Sequence, residues 1–138
     1  MTTYPDSFDD EIEALAKAAI GAAIEVHKLL GPGHIESVYE NALCYELELR
    51  GVPFTRQQVF DVDYKGRVVG TGRTDLILGG RLVVELKAVE QIAPVHLART
   101  LWYMRNKKEP LGLMLNFQVA RMDDKNAIRR VALSEFKK

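Results

Sequence analysis

The apolar run LGLMLNF at residues 111–117 constrains the fold more than any other stretch of the chain. It is short, continuous and uncharged, the signature of a strand buried on both faces rather than one with a wet side. A helical pattern precedes it, with Pro94 suited to a first turn and Leu97, Leu101 and Met104 as a buried stripe running to about Asn106. Ahead of that helix stands another strand, RLVVELKAV, from residue 81. A strand, a crossover helix and a second buried strand together require a sheet with helices against its faces.

The remaining elements follow from changes of period. Residues 9–30 place Ile12, Leu15, Ala19, Ala22, Val26 and Leu30 at helical steps, with Ser7 and Asp9 as candidate caps, and GPG at 31–33 ends the pattern. A second helix is predicted from about Ile35 to Arg50, with Tyr39, Leu43, Glu46 and Leu47 near one stripe and Gly51 as its C-terminal cap. From Phe54 the period becomes two. FTRQQVFDVDY, a turn at Lys65-Gly66, RVVGTGRTDLIL, a turn at Gly79-Gly80 and RLVVELKAV read as a three-stranded meander, in which Gly70 and Gly72 mark a bulge or a close backbone approach. AIRRVAL near the end is an expected edge strand, and the terminal Lys-Lys an expected loose tail. The expected class is α/β with a mixed α+β sheet.

At 138 residues and 47% hydrophobic, the chain suffices for one core and is read as one domain, residues 1–138. It shows neither a membrane-length apolar run nor a signal peptide, so the cytoplasm is the expected compartment. Cys44, the single cysteine, falls in a helical pattern beside Leu43 and reads as a core thiol. The formal net charge of zero conceals an asymmetry: residues 1–50 carry ten acids against three Lys/Arg, and residues 95–138 carry ten Lys/Arg against four acids. Either the basic half forms a face for phosphates, or the two halves attract each other.

Glu85 and Lys87, two apart on one strand, share a face, while Leu82, Val84 and Leu86 take the other. Where Asp75 lies depends on the turn. A two-residue Gly79-Gly80 turn pairs Asp75 with Val84, whereas a three-residue loop 79–81 pairs it with Glu85, and Gly80 suits the left-handed position such a loop needs. The odd-length loop is therefore expected. Two carboxylates facing across about 4.5 to 5.5 Å repel unless a cation lies between them. A hard divalent ion such as Mg²⁺ meets that need, with Lys87 beside it to hold or activate a water, which is apparatus for phosphodiester hydrolysis.

Asp75 followed after nine residues by Glu85-Leu86-Lys87, in this order of elements, resembles the D…(D/E)xK signature of the PD-(D/E)xK nuclease superfamily. GHIESVY at 33–39 further resembles the pattern of the GxxExxY protein family, as do ELKAVE and the PVH that follows. The resemblance spans roughly residues 15–133. It implies a restriction-endonuclease-like αβββαβ core, here with an extra N-terminal helix and a C-terminal edge strand. It further implies a metal-dependent nuclease with Asp75, Glu85 and Glu36 as ligands of Mg²⁺ or Mn²⁺ and Lys87 as the catalytic lysine. Glu36 also sits where a carboxylate favours a helix N-terminus, and Tyr39 either bonds at the site or packs.

Many relatives carry QxxxY on the following helix, and the matching positions here are Arg99 and Tyr103. Arg99 can clamp phosphate, or it can neutralise Glu85 with no metal and silence the site. His96, Arg99 and Tyr103 form an expected polar stripe opposite Leu97 and Leu101. With Tyr39 and Arg73, they are the expected substrate-binding residues. The partner implied is nucleic acid, DNA ahead of RNA, and a homodimer would supply the two centres a duplex needs. The alternative is a silent nuclease-fold module that binds nucleic acid or a protein.

Overall fold

Asp9 starts the first helix: its Oδ1 accepts the Ile12 N–H at 2.9 Å, satisfying one of the free donors of the opening turn. The computed structural model describes residues 8–133, so Ser7 and the terminal lysines fall outside the described residues. Helix α1 covers Asp10–Leu30. Its buried stripe is built largely from alanines, Ala16, Ala19, Ala22 and Ala23 beside Ile12 and Val26, while Leu15 is half-buried and Leu30 exposed. Helix α2 covers Glu36–Leu49. It closes on Gly51 at φ 69°, with the Gly51 N–H on Glu48 O and the Val52 N–H on Leu47 O, the bond pattern of a Schellman cap. The stripe expected on α2 holds for Tyr39, Leu43 and Leu47. Glu46 instead pairs with Arg50 at 2.6 Å, and Glu40 is the carboxylate turned inward.

The expected meander is split by a bend. The first arm divides into β1 (Phe54–Arg56) and β2 (Val59–Tyr64), the second into β3 (Arg67–Arg73) and β4 (Leu76–Leu78), and β5 covers Leu82–Lys87. β1 pairs with β4 and β2 with β3, all antiparallel, so the outer half of the hairpin leaves the main sheet as a two-stranded ribbon. Lys65 and Gly66, at φ 53° and 86°, make its turn, the left-handed pair that matches strand twist. A bulge between Val62 and Asp63 leaves Val69 beside Gly70 without a partner, and a Cβ on Gly72 would lie 2.9 Å from the Tyr103 hydroxyl. Gly70 and Gly72 thus mark a bulge and a close approach respectively.

Helix α3 (Pro94–Lys107) links β5 to β6 (Leu111–Asn116), which pair in parallel, and β7 (Ile128–Ala132) lies antiparallel on the edge. The sheet order β1-β4-β5-β6-β7 is a mixed α/β arrangement consistent with a restriction-endonuclease-like fold. Leu76, Leu78, Leu82, Val84, Leu86, Leu111, Leu113 and Leu115 face α1 and α2 in one apolar cluster. Ile77, Val83, Met114 and Val131 face Leu101, Tyr103 and Met104 of α3 in a second. The central strands are therefore buried on both faces, which is why their sequences do not alternate. Cys44 is buried and free, and burial pushes its thiol up to about 11. Acidic and basic halves meet at Arg130–Glu13, and Arg81 joins Asp9 and Glu11 to Glu109. Among the described residues no helix is long and apolar enough to cross a membrane.

Candidate active site

Two left-handed glycines, Gly79 at φ 58° and Gly80 at φ 71°, turn β4 into β5 through the three-residue loop 79–81. The register that results pairs Leu78 with Leu82, Ile77 with Val83 and Leu76 with Val84. One step further, Asp75 stands opposite Glu85. The two residues bind reciprocally: the Asp75 N–H donates to Glu85 Oε1 at 3.1 Å, and the Leu86 N–H donates to Asp75 Oδ2 at 2.8 Å.

Both carboxyls are held above the ordinary carboxylate range. Glu85, 2% exposed, is raised by burial first and by the charge of Asp75 second. Asp75 is raised by burial, which outweighs the Leu86 N–H that favours its anion. A buried and a half-buried carboxyl that disfavour ionising together form a set suited to a hard divalent cation. Glu36, half-buried at the start of α2, is also raised by burial and feels Lys87, Asp75 and Arg99, so it belongs to the same electrostatic neighbourhood. Among the described residues, however, no three His, Cys, Asp or Glu side chains converge closely enough to hold a metal ion together. Asp75 and Glu85 are the pair that does converge.

Cations surround this pair. Lys87, half-buried at the end of β5, acts on Glu36, Asp75, Glu85 and His96. Arg99, exposed on α3, acts on Asp75 and Glu85 while its Nε donates to the Tyr103 hydroxyl at 3.2 Å. His96 accepts the Ala93 N–H on Nδ1 at 3.0 Å, which assigns its proton to Nε2. Burial, followed by Lys87 and Arg99, lowers its pKa and so favours the neutral ring.

Tyr103 departs from the expected polar stripe. It is 2% exposed, packed against Phe60 and Trp102, and meets the site through Arg99, which bonds its hydroxyl and lies over its ring, because the ribbon covers this face of α3. Tyr39 takes the packing alternative. Its ring stacks on Phe117 at 4.6 Å, and its hydroxyl donates to Gly31 O at 2.6 Å and accepts the His34 N–H at 3.2 Å, so it ties down the α1–α2 loop. Arg73 ends β3, exposed and opposite Val59, two residues before Asp75.

Two buried polar residues near the site were not anticipated. Asn116, fully buried, receives the Val89 N–H on Oδ1 and donates Nδ2 to Val89 O, pinning the chain that leaves Lys87. Glu40, 8% exposed, accepts from Arg56 and Gln57. Its sequence signal was a carboxylate four residues after Glu36, within the stripe of Tyr39 and Leu43. A groove of about 590 Å³ beside His27 and Met122 shares no residue with the pair.

The model of a family described as the PD-(D/E)XK nuclease superfamily matches residues 13–131. This chain belongs to the PD-(D/E)XK nuclease superfamily. Comparison with curated proteins and with solved structures gives no match. The span matched to the superfamily contains Asp75, Glu85, Lys87 and the whole of α2 and α3.

Proposed function

We propose that this PD-(D/E)XK protein hydrolyses phosphodiester bonds of nucleic acid with the help of a divalent metal ion, and that Asp75, Glu85 and Lys87 carry the reaction. The observation that carries this reading is the pairing of half-buried Asp75 with buried Glu85, each residue bound to the other's strand. Two carboxyls held close with their ionised forms disfavoured cost stability at neutral pH, and a fold keeps such a pair where it serves a ligand. Asp75 and Glu85 would hold Mg²⁺ or Mn²⁺, which when bound supplies neutralisation of phosphate charge and a more acidic water. The GxxExxY pattern supports placing the chain in that narrower family, with Glu36 as a further carboxylate contributing to the same centre.

The chain's own groups then have separate tasks. Lys87 places an ammonium, a compact three-donor charge, against the attacking water or a phosphate oxygen. Arg99, oriented by Tyr103, offers a planar fork to the non-bridging oxygens. His96 presents Nε2–H from the first turn of α3. In the hydrolysis a water oxygen bonds to phosphorus, the phosphorus–oxygen bond to the leaving sugar breaks, and the leaving oxygen takes up a proton.

The test is incubation of purified protein with single- and double-stranded DNA, then RNA, with Mg²⁺ or Mn²⁺, beside Lys87→Ala and Asp75→Asn. Cleavage by the wild type alone is expected, and equal cleavage by Lys87→Ala overturns the assignment. Arg99 favours a second reading, a silent binding module in which its guanidinium neutralises the carboxyl pair. In that case the wild type ignores Mn²⁺ while Arg99→Gln binds it.

A further inference from the structure

We propose that Glu40 is a positioning residue: through the side-chain amide of Gln57 it holds the backbone bend that presents Asp75 to Glu85. The bend lies where β1 gives way to β2 and β3 to β4. Two main-chain bonds span it, Gln57 N–H to Asp75 O and Thr74 N–H to Gln58 O, both 3.0 Å. Asp75 is therefore held at both ends of its residue, its N–H by Glu85 and its C=O by Gln57.

Gln57 pays for this role with a φ of 52°. The left-handed region costs a residue with a Cβ roughly 1 kcal/mol or more, and such a conformation persists only where its surroundings hold it. Glu40 supplies that hold. Its Oε1 accepts Gln57 Nε2 at 3.0 Å, while its Oε2 accepts Arg56 Nη2 at 2.7 Å and Nε at 3.3 Å. Arg56 alone would neutralise Glu40. The second oxygen, spent on a neutral amide, links α2 to the bend. Arg56 is itself steadied by Asn41, whose Oδ1 accepts from Nη2 at 2.7 Å. The carboxylate one turn after Glu36 thus sets where Asp75 sits through the Gln57 amide, beside the direct effect of its charge on Asp75, which Gln57→Ala leaves in place.

The structural consequence stands apart from the nuclease reading, and only the kinetic one depends on it. Glu40→Gln, Gln57→Ala, Gln57→Gly and the double variant Glu40→Gln/Gln57→Ala, each checked by thermal unfolding, test it. In Glu40→Gln the one remaining oxygen stays with the Arg56 guanidinium and the Gln57 amide loses its acceptor, so in metal-free protein amide exchange at Gln57 should accelerate roughly fivefold to tenfold, the effect of one lost hydrogen bond. Calorimetric Mn²⁺ affinity should fall roughly tenfold in Glu40→Gln and Gln57→Ala, and less in Gln57→Gly, which accepts the left-handed conformation without strain. The double variant should be no worse than the poorer single one, and kcat should fall with KM unchanged. Unchanged exchange and Mn²⁺ affinity in folded Glu40→Gln, or additive losses in the double variant, overturn the proposal. If Glu40→Gln fails to fold, the Gln57 pair decides alone. A wild type that cuts nothing while exchange and Mn²⁺ affinity shift as described defeats the nuclease reading and leaves Glu40 in its role.

Discussion

Asp75 and Glu85 face one another across the β4–β5 hairpin, and the main-chain N–H of the first donates to the carboxylate of the second at 3.1 Å. Glu85 is thereby both a strand residue and a buried charge, and its two roles pull against each other. Glu85→Gln keeps an oxygen for the Asp75 N–H and removes the charge. It is expected to stabilise the metal-free protein at pH 8 by about 1–3 kcal/mol, the cost of an uncompensated buried charge or polar group, while abolishing cleavage. Urea titrations in chelator, beside a cleavage assay, check both halves. A destabilised variant contradicts this.

The same pair sets a pH dependence. Asp75 and Glu85 have folded pKa values raised above the unfolded ones, so each binds its proton more tightly in the folded chain. Their contribution is complete below the ordinary carboxylate range and is lost as pH climbs through the raised values. Metal-free protein should therefore lose stability from mildly acidic to mildly alkaline pH, with Glu85→Gln flattening the profile. Denaturant midpoints across that range measure it, and a rising profile would count against the pair as described.

Gly72 and Gly70 are both exempt from positive φ, so only space distinguishes them. A Cβ on Gly72 would stand 2.9 Å from the Tyr103 hydroxyl, while nothing lies within 4 Å of one on Gly70. Gly72→Ala is expected to destabilise by about 1–3 kcal/mol through overpacking, and to shift Tyr103 and the Arg99 it orients. Gly70→Ala should stay within about 0.5 kcal/mol. Equal thermal midpoints for the two variants would show that the ribbon does not rest on α3.

Removing the Tyr39 hydroxyl tests its assignment to the scaffold. Tyr39→Phe keeps the stack on Phe117 and loses the bonds to Gly31 and His34. A loss of about 1 kcal/mol in stability is expected with KM for nucleic acid unmoved. A KM change with stability intact would return Tyr39 to the substrate path.

Cys44 should resist thiol reagents in the native state. Its thiol is buried and raised to about 11, so little thiolate exists at pH 8. A raised acid is stabilising while protonated, so stability should fall between the ordinary thiol range and about pH 11. Fast native labelling at pH 8, matching the denatured rate, would contradict the burial.

The order of helices and strands, the buried character of residues 111–117 and the pairing of Asp75 with Glu85 were legible in the sequence because each depends on local rules. Period separates helix from strand, and two glycines with an odd loop force one register. The bend at Gln57 and Asp75 was not legible, since alternation continues through it and gives no sign of which half pairs with the sheet. Glu40 drew no reading of its own, and Tyr103 looked like part of a polar stripe, because neither the Gln57 amide nor the covering ribbon is near them in the chain. The sequence by itself determined the order of helices and strands and favoured the odd-length turn that sets one carboxylate opposite another. Tertiary packing decided how deeply that pair is buried and what holds it in place, because burial and long-range hydrogen bonds depend on elements brought together from distant parts of the chain.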